Sequence, residues 1–388
     1  MFPMVVRCHL NVFSTDDNLT TTAISKLGVT PVRDTANAPA QFWTSIPGNE
    51  SGLAFSEYMT MEMQSSLCLN LYDGFDTGIA DGVLKMSDRI RLVPQRFDIQ
   101  EKALDHGLIE NYNVFLLGPS GSGKSFFMNK YLRACYMAGA HDFLIDQGAS
   151  YRALCHIIKE KSDGKDGPYD YLLNSAESVN ILEDRFVVFE IDHIKGDPVI
   201  YPITTLVIMD AFMEKMTSNS DFKVMCIEEA WKAIMGTQMA TYMLELWKTA
   251  RKHRTSAMVV TQELKDITSS PIIRDSIVEN SGVKILLDQT KYVNRFDVLA
   301  SELSLSEDDK AMVLSLNRLK IPGASGREVF FNLGNKKSFV MRLEVSPEER
   351  IAFSSQKRDK EKLAAAVEKS GGSYIKAIKK LTKKGTAV

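Results

Sequence analysis

The chain has 388 residues, of which 44% are hydrophobic and 25% charged, a balance that suits one large or two modest globular domains with a sizeable core. The net charge of −2 excludes a polycationic chain overall, yet residues 357–388 hold ten Lys or Arg against three acids, which gives that tail +7 and leaves −9 elsewhere. Five cysteines (Cys8, Cys68, Cys135, Cys155 and Cys226) form no C-x-x-C pair, which argues against a disulfide framework or a zinc site and suits a reducing, cytoplasmic setting.

Arg7, His9 and Asn11 interrupt the apolar start, unlike a signal peptide. Residues 1–108 read as a separate layer, either a small appended domain or the remnant of a larger N-terminal region, with turn signals at Ile46-Pro47-Gly48-Asn49 and Asp73-Gly74. From residue 109 the pattern changes to alternating strands and helices. Strands are predicted at 114–117, 141–146, 185–190, 224–227, 256–261 and 283–287. Helices are predicted at 124–137, at 201–216 and from Glu229 to about residue 253. A hairpin should close the domain, with strands at 328–333 and 338–343 around Gly334-Asn335. Such alternation predicts an α/β fold, a mostly parallel sheet with helices on both faces, here over residues 109–350. Pro202, two threonines and Asp210 interrupt the most apolar stretch, 199–213, so no transmembrane segment is expected.

Gly118-Pro119-Ser120-Gly121-Ser122-Gly123-Lys124-Ser125 fits the G-x-x-x-x-G-K-[ST] pattern. Its glycines let backbone N–H groups turn inward around phosphate oxygens, and the helix that starts there adds its positive end. Lys124 is expected at the β and γ phosphates and Ser125 on Mg²⁺, with the cradle running on through Phe126. The cofactors implied are ATP or GTP with Mg²⁺. Ile227-Glu228-Glu229 supplies a strand ending in two acids: Glu228 to hold the metal, Glu229 to orient or deprotonate the attacking water. Thr261-Gln262 ends another strand, where a Gln can meet the γ-phosphate or the water. Arg251, in Arg251-Lys252-His253-Arg254, and Arg327 are candidates for transition-state charge or, equally, basic helix and strand ends. His141 and Asp146 flank a strand and read as structural or supporting. Tyr374, Ile375, Ile378 and Leu381 stand at helical spacing among lysines. Such a basic amphipathic helix, placed in a tail of 351–388, suits an anionic membrane, DNA or a solvated terminus.

Taken in order, these motifs resemble the type IV secretion ATPases, the class named for the fourth VirB component, and most of all the TraG-type ATPases of conjugative transposons. Further stretches shared with that class are Phe42-Trp43-Thr44-Ser45-Ile46-Pro47-Gly48-Asn49, Asp146-Gln147-Gly148-Ala149-Ser150-Tyr151, Phe189-Glu190-Ile191-Asp192 and Gly326-Arg327-Glu328-Val329-Phe330. The resemblance implies a RecA-like, HerA/FtsK-type fold and a hexamer with sites at subunit boundaries. It implies ATP hydrolysis that powers pilus assembly or substrate transfer, alongside other secretion components at the cytoplasmic face of the inner membrane. It also places Arg251, Gln262 and Arg327 on later motifs of the class. Two departures stand out. Glu228 occupies a position where Asp is common, and the chain resembles the carboxyl half of a longer protein.

Overall fold

The computed structural model describes residues 79–146, 150–161, 182–194, 199–229, 237–263, 277–318 and 326–383, with shorter pieces at 5–8, 17–26, 30–44, 59–62 and 169–170 and the single positions 12, 14, 46, 48, 49, 148, 196 and 197. The chain divides into two compact units, Met1–Gly74 and Phe75–Val388. In the first unit β1 (Val5–Cys8) pairs antiparallel with β2 (Met59–Glu62), and helices span Asp17–Lys26 and Ala38–Thr44.

The second unit is organised on an eleven-stranded sheet among the described residues. Its strands are β3 (Ile79–Asp88), β4 (Pro94–Asp98), β5 (Val114–Leu117), β6 (His141–Asp146), β7 (Tyr169–Asp170), β8 (Phe186–Glu190), β9 (Lys223–Glu228), β10 (Thr255–Thr261), β11 (Val283–Leu286), β12 (Arg327–Leu333) and β13 (Lys337–Leu343). The spatial order is β4-β3-β13-β12-β11-β5-β10-β9-β6-β8-β7. From β11 to β7 every pairing is parallel; from β11 to β4 every pairing is antiparallel. The closing hairpin forms as expected. Gly334 and Asn335 both adopt φ 56°, and Lys336 N–H donates to the Leu333 carbonyl at 2.9 Å, a turn whose twist matches that of the strands. β3 and β4 lie within the N-terminal region as the sequence divides it, yet they form the antiparallel edge of this sheet. Leu84 and Met86 are buried while Val83 is exposed, the alternation of a strand covered on one face.

Side chains of the parallel strands alternate between two cores. Val114, Leu116, Cys226, Met258 and Val260 face one; Phe115, Leu117, Ile227, Ala257 and Val259 face the other. The first core is covered by helices Lys124–Met137, Arg152–Lys161, Pro347–Phe353, Lys357–Glu368 and Tyr374–Lys383, and the second by Ile200–Ser218, Thr237–Thr249, Phe296–Glu302 and Glu307–Leu314. Helix Ile200–Ser218 admits Pro202 because a proline in the first turn breaks no intrahelical hydrogen bond.

The C-terminal helices are integral to the first core. Ser346 and Glu349 form a capping box ahead of Pro347. Glu160 accepts from Ser373 Oγ at 2.8 Å and from the backbone N–H of Tyr374 at the start of the last helix, while the His156 and Tyr374 rings stack 4.3 Å apart. Ala377 and Ile378 are buried in the core, with Tyr374 and Leu381 packed against it. The apolar face predicted from the tail is thus spent on the sheet's own covering layer, and Lys376, Lys379, Lys380 and Lys383 point to solvent. Among the described residues no helix is long and apolar enough to cross a membrane.

Candidate nucleotide site

The carboxyl ends of β5, β6, β9 and β10 lie level, with Leu117 opposite Thr261, Glu228 opposite Val260 and Ile227 opposite Ile145. Gly118 leaves β5 there and donates its N–H to the Thr261 carbonyl at 3.0 Å. A Cβ on Gly118 would stand 2.6 Å from Leu287 Cδ1 and 2.9 Å from Ser122 Oγ, so a larger residue would force those side chains to shift. Gly121 and Gly123 take φ 81° and 102°, a region that side chains disfavour, and Gly123 is the N-cap of helix Lys124–Met137. The backbone N–H groups of that helix start are the anion-binding feature expected of the motif.

The loop forms one wall of a cavity of about 770 Å³. Pro119, Ser120, Gly121, Gly123, Lys124, Ser125 and Phe126 line it, whereas Gly118 and Ser122 of the predicted cradle do not. Ser122 is turned away and buried, and its Oγ has no hydrogen-bond partner. Asp146, Glu228, Glu229, Gln262 and Arg327 complete the phosphate end.

Lys124 Nζ stands 3.4 Å from Glu228 Oε1 and also pairs with Glu229 Oε1. Gln262 Nε2 donates to that same Glu229 oxygen. Tyr151 Oη donates to Glu228 Oε2. Asp146 caps the loop beyond β6: its Oδ1 accepts from Gly148 N–H at 3.0 Å and its Oδ2 from Ser150 N–H at 2.7 Å. Asn129, one turn into the loop's helix, ties Ser125 to Ser150 by donating to both carbonyls, at 2.8 and 3.3 Å.

Burial pushes the Glu228 carboxyl above its usual range, against the pull of the Lys124 ammonium and the Tyr151 hydrogen bond. Burial and the neighbouring Glu228 push Asp146 up to about 7, despite its two backbone donors. Two acids this close and this dry disfavour each other's charge and would both be relieved by a cation. Among the described residues no three His, Cys, Asp or Glu side chains converge as a metal cage. The donor set instead suits Mg²⁺, which takes one or two protein oxygens and draws the rest of its shell from phosphate and water.

The expectation that a helix starts at Glu229 does not hold. Glu229 has φ 54°, incompatible with a right-handed helix, and its N–H donates to the Val260 carbonyl at 3.1 Å. This turn off the end of β9 aims its carboxylate at Lys124. Residues 230–236, including Trp231, lie outside the described residues, and the helix is described from Thr237. Arg327 lines the cavity in its own chain, with Cγ 3.5 Å from where a Cβ on Gly123 would lie. Arg251 is not brought to this cavity. It is exposed in the 3-10 turn Ala250–His253, which leads into the amino end of β10, at the opposite end of the parallel strands from the phosphate loop. His141, too, opens β6 at that amino end, so only Asp146 of that pair reaches the site.

Sequence reasoning missed Tyr151 as the partner of Glu228, Asn129 as a strut, and the far wall of the cavity. That wall is formed by Arg350, Ser354, Ser355, Gln356 and Asp359 from the C-terminal helices. The one signal for Tyr151 was its place in the stretch that begins at Asp146.

The sheet order and this cavity define an α/β P-loop nucleotide-binding protein. The chain matches the TraG P-loop domain family over residues 83–165 and 161–385 and belongs to it. It also resembles VirB4 of Thermoanaerobacter pseudethanolicus, with TM-score 0.51 and 16% identity over 70% of this chain and 100% of that one, a likeness of fold. Lower similarities, at TM-score 0.40, connect it to the genome packaging NTPase B204 from Sulfolobus turreted icosahedral virus 2 in complex with ATP-gammaS (14% identity, 60% of this chain, 96% of that one). The cytoplasmic domain of the Thermomonospora curvata type VII secretion ATPase EccC stands at the same score (11% identity, 68% of this chain, 28% of that one). No curated protein matches the chain.

Proposed function

We propose that this chain is a Mg²⁺-dependent ATPase, the motor of a type IV secretion or conjugation system that powers pilus assembly or the transfer of DNA or protein. The observation that carries this reading is the phosphate loop facing Lys124, Glu228, Glu229 and Gln262 across one cavity. Lys124 leaves its acid partners for the β and γ phosphates and meets the charge that develops there. Ser125 and Glu228 would hold the metal, which would supply positive charge beside the phosphates. Glu229, freed of Lys124 and steadied by Gln262, orients the attacking water and takes its proton. The working form is a cytoplasmic ring, a hexamer on the pattern of its class, docked by other secretion components at the inner membrane.

Steady-state ATP hydrolysis across protein concentration, with Lys124→Ala as control, tests this. Specific activity that rises with concentration and vanishes in the variant is the expected result. ATP binding without turnover at any concentration would reduce the chain to a nucleotide-binding interaction subunit. A DNA-translocating motor is the second reading, favoured by the solvent-facing Lys376, Lys379, Lys380 and Lys383. It calls for DNA binding that weakens steeply with salt and is lost when these four become Ala.

A further inference from the structure

The phosphate loop and the acids account for one end of the cavity. The other end lies past the first turn of helix Lys124–Met137, beyond Phe126, and is walled by the segment between Arg350 and Asp359. A nucleotide whose phosphates occupy the loop must direct its sugar and base away from Glu228 and Glu229, toward this wall.

The wall is held in place by its own contacts. Ser354 Oγ donates to Asp359 Oδ2 at 2.6 Å. Lys360 Nζ donates to the Gly148 carbonyl at 2.9 Å, which ties the wall to the loop capped by Asp146. Arg133 bonds to Glu349 at 2.7 Å, which fixes it to the loop's helix. Asp359 is buried, yet its Oδ1 has no hydrogen-bond partner.

Gln356 is the residue this scaffold presents. It is the N-cap of helix Lys357–Glu368, with its carbonyl accepting from the N–H groups of Asp359 and Lys360 at 3.0 Å. Ser, Thr, Asp and Asn are favoured at such a position because their side chains cap; the Gln356 side chain makes no cap hydrogen bond. Gln356 lines the cavity and is exposed; its backbone N–H donates to Ser354 Oγ at 3.4 Å, while its side-chain amide makes no hydrogen bond among the described residues. The free amide on this fixed backbone offers one acceptor and one donor side by side, the pair that matches the amino group and ring nitrogen on an adenine edge.

We infer that Arg350–Asp359 is the base subsite of the nucleotide cavity and that Gln356 is its specificity-determining residue, reading the base edge of adenine. This rests on the reading of the cavity as a nucleotide site. It assigns the choice of base to the C-terminal helices, outside the strands that carry the phosphate machinery.

The test compares ATP, GTP and inorganic tripolyphosphate, which has no base, binding to the full chain and to Gln356→Ala and Gln356→Leu. In both variants ATP affinity should fall about tenfold, the effect of losing one bidentate base contact. Tripolyphosphate affinity should stay within about twofold, since its contacts lie at the phosphate end, and the preference for ATP over GTP should shrink. If ATP and tripolyphosphate weaken together, or ATP affinity and preference do not change, the base subsite lies elsewhere and the inference fails alone. If the unsubstituted chain binds neither ATP nor tripolyphosphate, the nucleotide reading fails and takes the inference with it.

Discussion

Lys124 Nζ lies 3.4 Å from Glu228 and is simultaneously paired with Glu229, so the ammonium proposed for the phosphates shares its charge with the two acids proposed for the metal and the water. Nucleotide must break the contact with Glu229 to gain Lys124. In Glu229→Gln that competition weakens and the proton acceptor is gone. ATP affinity should rise several-fold while turnover falls by about 10²–10⁴. Equilibrium binding of a fluorescent nucleotide alongside single-turnover hydrolysis reads both quantities. Turnover at the level of the unsubstituted chain would remove Glu229 from the mechanism.

Tyr151 holds Glu228 in a fully buried position. Tyr151→Phe deletes that donor and leaves one carboxylate oxygen dry and unpaired, which should lower stability by about 2 kcal/mol. The same change frees Glu228 to turn, and on the proposed mechanism Glu228 holds the metal together with Ser125. The Mg²⁺ concentration for half-maximal activity should therefore rise, while nucleotide affinity measured without metal stays near its original value. Denaturant unfolding and a Mg²⁺ titration of activity check the two halves separately, and an unchanged Mg²⁺ requirement would confine Tyr151 to a packing role.

Except for the two-residue β7, the parallel half of the fold could be read from the chain because each of its other strands carries its own signal. Residues 114–117 are an apolar run stopped by Gly118, and 141–146 and 224–227 are likewise short, apolar and bounded. What could not be read depends on partners distant in sequence. β3 has an unremarkable alternation until β13 pairs with it, more than 250 residues later. Ala377 and Ile378 present the same apolar face whether they meet lipid, another helix or this sheet. The site divides in the same way. The phosphate loop is a local pattern, but Tyr151 and Gln356 gain their roles only when folding sets them beside Glu228 and the cavity.

His141 opens β6 with its ring buried, Nε2 3.3 Å from Asp221 and Nδ1 without a partner. Burial first, then the nearby Lys215, lowers its pKa from 6.5 to about 4, against the attraction of Asp221. The folded chain thus refuses a proton that the unfolded chain accepts between pH 6.5 and 4. The contribution of neutral His141 is fully present above pH 6.5 and is lost as pH falls toward 4. His141→Gln removes this titration, so its melting temperature should fall less steeply than that of the unsubstituted chain across that window. Parallel slopes for the two proteins would show that the ring takes up its proton without cost in the fold.

Arg327 lines the cavity of its own chain, whereas Arg251 sits at the amino end of the parallel strands, away from the phosphate loop. If both serve hydrolysis, Arg327 acts within the chain that binds the nucleotide and Arg251 acts on a neighbour's site. Mixing chains separates these roles. Lys124→Ala chains bind no nucleotide but can lend Arg251, and Arg251→Ala chains keep an intact cavity. A mixture of the two should hydrolyse ATP faster than either alone. Arg327→Ala mixed with Lys124→Ala should gain nothing, because each chain then carries a defect in its own cavity. Rescue in the second mixture but not the first would reverse the assignment and make Arg327 the residue that crosses between subunits.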